Sequence, residues 1–71
     1  MSVEVKSEIT GKVWKIEMKE GQAVQEDDII VILESMKMEI PISAPKAGKI
    51  TKILVTEGQS VAEGETVALL D

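Results

Sequence analysis

A chain of 71 residues supplies apolar material for one compact core, so residues 1–71 are read as a single domain. It contains no Cys and no His, which excludes disulfides and the usual nitrogen and sulfur metal ligands; no metal site is expected. Thirteen acidic against eight basic side chains give a net charge of −5, with lysines scattered among glutamates and a single Trp as the only aromatic residue, a composition that argues against nucleic-acid binding and offers no visible catalytic constellation.

In chain order, Val3 and Val5 predict a first strand, and Val13, Ile16 and Met18 with intervening Lys and Glu a second, entered through Gly11. Trp14 in that stretch is expected in the core. Glu20-Gly21-Gln22 reads as a turn, with Gly supplying a positive φ, and a short strand follows around Val24. The run Ile29 to Leu33 lacks alternation, as a strand buried on both faces would. Pro41 and Pro45 suit a strand edge or the turn before Gly48. A second Glu-Gly-Gln turn at residues 57–59, a short strand around Val61 and a strand from Thr66 to Leu70 complete the chain, and no helix is predicted. The opening residues do not have the pattern of a secretory leader, and the longest apolar run is too short to span a membrane. A soluble cytoplasmic protein with no membrane partner is the expectation.

The second set of elements repeats the first. Displaced by 37 positions, Gly11, Lys12, Lys15, Ile16, Glu20, Gly21, Gln22, Val24, Glu26 and Leu33 recur as Gly48, Lys49, Lys52, Ile53, Glu57, Gly58, Gln59, Val61, Glu63 and Leu70. Ten identities over 24 aligned positions mark an internal duplication of residues 1–34 as residues 38–71. Neither copy can bury its apolar face alone, so the expected fold is all-β: a flattened barrel or sandwich of two quasi-symmetric four-stranded antiparallel halves. Only Ser35, Met36 and Lys37 lie outside the repeat, in the turn that joins the halves, with the chain termini meeting near the other end.

A turn lysine is ordinarily no more than a solvated charge. Two methionines beside it are harder to assign to solvent, because Met normally fills gaps in cores and here leaves soft apolar surface where polar turn residues belong. The segment Glu34-Ser35-Met36-Lys37-Met38-Glu39, centred on Met-Lys-Met, resembles the biotin acceptor motif of the biotinyl/lipoyl attachment domains. Ser43 to Gly48, Ser-Ala-Pro-Lys-Ala-Gly, is similar to that family's Ala-Pro-x-x-Gly turn. The resemblance covers essentially the whole chain. Many members carry Ala or Val where this chain has Ser35, and the equal halves leave no room for a protruding loop, as in the thumbless, small stand-alone type.

The resemblance implies a non-catalytic carrier belonging to a biotin-dependent carboxylase. Lys37 would receive biotin covalently from a biotin protein ligase, and the biotin arm would shuttle a carboxyl group between biotin carboxylase and carboxyltransferase sites. Met36 and Met38 would serve ligase recognition, with Met38 alternatively packed under the second half, and Glu34, Ser35 and Glu39 are further recognition candidates. An isolated domain of this kind is expected to be monomeric. The alternatives are a lipoyl carrier of a 2-oxoacid dehydrogenase-type system, with lipoate on the same lysine, and an unmodified structural β-module.

Overall fold

The computed structural model describes residues 2–71; Met1, the first position of the repeat, lies outside the described residues. Alternating β-branched and polar residues between glycine breaks form the strands β1 (Val3–Lys6), β2 (Gly11–Ile16), β3 (Ala23–Val24), β4 (Ile29–Ser35), β5 (Met38–Ser43), β6 (Gly48–Ile53), β7 (Ser60–Val61) and β8 (Thr66–Leu70). No helix occurs among the described residues.

The strands make two four-stranded antiparallel sheets, ordered β1-β8-β6-β3 and β5-β4-β2-β7. The sheets are not the halves: each draws strands from both copies of the repeat. The turns are exchanged as well. The N–H of Val13 in β2 donates to Gln59 O at 2.8 Å, and its repeat counterpart Ile50 donates to Gln22 O at 2.9 Å. Each half therefore completes the backbone hydrogen bonding of the other, which is why neither can be a stable unit by itself.

Ile30, Val31, Leu33, Ile50, Val67 and Leu70 are fully enclosed in the core. In the strand Ile29–Leu33, Ile30, Val31 and Leu33 are buried, but Ile29 is exposed and Ile32 is only half-buried. The run is therefore not enclosed on both faces as its lack of alternation predicts: the second face of its sheet is open to solvent. Pro41 stands on β5, an edge strand, where its missing N–H costs no ladder bond, and Pro45 lies in the turn before Gly48.

Trp14 corrects the expectation of a core residue, because it is 48% exposed. It shares the alternation of Ile16 and Met18, both of which pack against the core, and an unbroken strand would turn it inward with them. The register of β2 on β4, however, pairs Val13 with Leu33 and Lys15 with Ile32, so Trp14 is the extra residue of a β-bulge. The bulge resets the alternation: Val13 is buried, Trp14 and Lys15 both face outward, and Ile16 returns toward the core. The repeat has the same irregularity between Ile50 and Lys52, with Thr51 in the place of Trp14.

β1 pairs with β8, Val3 opposite Leu70, so the two ends of the chain lie side by side. β2 starts beside Glu34 and Ser35, and the chain continues to Gly21, whose N–H reaches Ile50 O near the beginning of β6. The connection between the repeats and the paired ends therefore occupy opposite extremes of a molecule 33 Å long and 17 Å across.

Candidate modification site

β4 and β5 are joined by the tightest connection a hairpin allows. Ser35 pairs with Met38, leaving Met36 and Lys37 as the two central residues. Both have left-handed backbone conformations, φ 52° and 64°, as in a type I′ turn, whose twist matches that of the flanking strands. Such turns favour Asn-Gly, and a side-chain-bearing residue in this region is held at a cost of about 1–2 kcal/mol. Met-Lys occupies it here, so the local sequence works against the local conformation while the paired strands enforce it.

The consequence is display. Met36 is 89% and Met38 58% exposed, which places Met38 in solvent and not beneath the second half. Lys37 is exposed, and its amine takes no hydrogen bond or ion pair among the described residues. All eight lysines are exposed, so exposure does not distinguish Lys37. Its position does: it is the lysine at the apex of a hairpin, between two uncovered methionines.

Below the apex, Glu34 and Glu39 are directly paired, with Lys12 next to Glu34 on the other side. Two like charges in opposed positions disfavour the sheet slightly and concentrate negative potential beneath the lysine. Ser35 is half-buried at the base of the turn. A cavity of about 300 Å³ lies elsewhere, between Lys6, Glu8 and Ile9 on one side and Pro41, Ser43 and Pro45 on the other, and does not include the apex. No group of acidic side chains suited to a metal ion is present among the described residues, and no helix is long and apolar enough to cross a membrane.

The fold brings all six candidate residues, Glu34 to Glu39, into this one hairpin. The left-handed pair has no signal in the sequence, since neither Met nor Lys is typical of such a turn; the only hint is that the duplication leaves three residues for the joint.

A duplicated β-domain whose single unrepeated feature is a lysine-bearing hairpin has the architecture of a covalent-cofactor carrier. The family model described as "Biotin-requiring enzyme" matches residues 1–70, and the chain belongs to that family. Among curated proteins it is 43% identical over 44 residues to Biotinylated protein TB7.3 of Mycobacterium tuberculosis, covering 62% of each chain. It is 42% identical over 43 residues to the Biotin/lipoyl attachment protein of Bacillus subtilis, covering 61% of this chain and 59% of that one. The matches thus span about three fifths of these small relatives. Among solved structures, the Kluyveromyces lactis urea carboxylase superposes with a TM-score of 0.95 at 37% identity, over 100% of this chain and 6% of that one.

Proposed function

We propose that this chain is a biotin carrier domain and that Lys37 is its attachment residue. The observation that carries the reading is the hairpin: an amine without an intramolecular partner among the described residues, held at one extreme of a rigid β-sandwich by a strained two-residue turn. Membership of a biotin-requiring family and the likeness to a urea carboxylase support biotin as the group attached.

A biotin protein ligase would present biotinyl-adenylate. The Lys37 amine attacks its acyl carbon, an amide bond forms, AMP departs, and the proton of the amine passes to a base of the ligase. The carrier's own contribution is positional: rigid strands keep the apex clear, and the exposed methionines give the ligase an apolar hold. When bound, biotin accepts a carboxyl group at one active site and releases it at another. The chain performs no chemistry in that cycle, and its partners are the ligase, a biotin carboxylase and a carboxyltransferase. A single cytoplasmic, monomeric domain belongs to the same proposal.

Incubation with biotin, ATP and a biotin protein ligase, followed by intact-mass measurement, tests this. The parent chain should gain one biotinyl group and Lys37→Arg none; an unchanged parent mass would refute the proposal. Likeness to a biotin/lipoyl attachment protein favours lipoate as the second reading, tested by the same measurement with lipoate and its ligase.

A further inference from the structure

The duplication supplies its own control for surface residues, because each position on one sheet has a counterpart on the other. On the outer face of the sheet that carries the hairpin, Ile32 of β4 pairs with Pro41 of β5 on one side and with Lys15 of β2 on the other, and the bulged Trp14 stands exposed beside Lys15. On the other sheet the counterparts are Leu69, paired with Glu4 and Lys52, and the bulged Thr51, so that Trp14 and Pro41 are replaced by two polar residues. The fold accepts Thr and Glu at these places, so its own packing does not require Trp and Pro. The apolar pair occurs only on the face continuous with the lysine hairpin.

We propose that this face, centred on Trp14, is the seat on which the ligase that acylates Lys37 holds the carrier. The inference rests on the biotin reading above. Unmodified Lys37 offers only a four-carbon stem, so the ligase must bring its active site down onto the apex. A stable protein interface covers about 800 Å² on each partner, far more than a two-residue turn provides, and must therefore spread onto an adjoining surface. Ile32 is three residues from Ser35 on β4, roughly 10 Å along the strand, which puts Ile32, its partner Pro41 and the neighbouring bulge at Trp14 within that footprint. Lys12, Glu34 and Glu39 form a charged row between it and the apex, and an aromatic anchor beside a polar border is the usual composition of such interfaces. The holo carrier makes no comparable demand, because biotin lengthens the arm and lets a carboxylase work at a greater distance from the protein surface. This difference selects the ligase as the occupant.

Steady-state biotinylation of the parent, Trp14→Thr, Pro41→Glu and the opposite-face control Thr51→Ala tests the seat. The first two variants carry the residues of their counterparts on the other sheet, and circular dichroism verifies their fold. The carrier's KM should rise about tenfold in Trp14→Thr, as loss of an aromatic anchor implies, with kcat unchanged and Thr51→Ala indistinguishable from the parent. As a measurement on the unaltered face, 5-fluorotryptophan at the single Trp of the Lys37→Arg carrier should shift and broaden its ¹⁹F resonance when ligase, biotin and ATP are added. An unchanged KM and an unmoved resonance would overturn the seat while leaving the biotin reading intact. The seat is overturned equally if the substitutions weaken only the carboxylation of the holo carrier by biotin carboxylase. A parent chain that gains no mass overturns both together.

Discussion

Glu20 Oε2 accepts a hydrogen bond from the backbone N–H of Ile53 at 3.0 Å, tying the turn of the first repeat to a strand of the second. Glu57 and Ile16 form the reciprocal bond at 3.4 Å. The Glu-Gly-Gln tripeptide is therefore more than a turn: its Gly provides the left-handed bend, φ 88° and 89° in the two copies, its Gln O accepts from the opposite strand, and its Glu reaches further along that strand. Glu20→Ala should lower stability by about 1 kcal/mol, a shift in Tm of roughly 4–8 °C for a domain of this size. Glu57→Ala should cost less, since its bond is longer. Urea unfolding of the two single variants and the double measures this, and the sites should be nearly additive.

The hairpin predicts a gain. Replacing Met36-Lys37 by Asn-Gly places residues suited to left-handed backbone in the turn, and stability should increase by about 1–2 kcal/mol in thermal unfolding, with biotin acceptance abolished. The native pair would thus be retained for its display and not for its contribution to the fold.

Gly11 is required for a different reason from Gly21. A Cβ on Gly11 would stand 2.9 Å from the carbonyl oxygen of Glu34, at the base of the hairpin, whereas one on Gly21 meets open space but a φ of 88°. Gly11→Ala should destabilise by about 1–3 kcal/mol through overpacking against backbone, and Gly21→Ala by about 1–2 kcal/mol through conformational strain alone. Urea denaturation of both variants measures the losses, and only Gly11→Ala should also alter the amide chemical shifts of Glu34 and Ser35.

Met36 and Met38 are uncovered, so neither should matter greatly to folding. Met36→Ser is expected to leave Tm within a few degrees of the parent, because exposed substitutions away from packed features change stability by about 0.5 kcal/mol or less. Its effect should be confined to the ligase, read as a higher KM for the carrier.

Much of this architecture is legible in the sequence because the duplication multiplies every signal by two: the strands, the glycine turns and the unrepeated joint are all written in the displacement of 37 positions. Three features are not. That each sheet combines strands of both halves depends on pairing between distant segments, which residue pattern does not encode. Trp14 has the alternation of Ile16 and Met18, and the bulge that moves it outside while they stay against the core has no local signature. The left-handed Met36 and Lys37 are imposed by the strands that flank them, against the preference of either residue.

Attachment at Lys37, and at no other lysine, is the central claim. After exhaustive treatment of the parent chain with biotin, ATP and ligase, tandem mass spectrometry of its peptides should find a single biotinyl group, on Lys37, and none on the other seven lysines, although every one of them is exposed. Biotin distributed among several lysines, or located on a different one, would contradict the account.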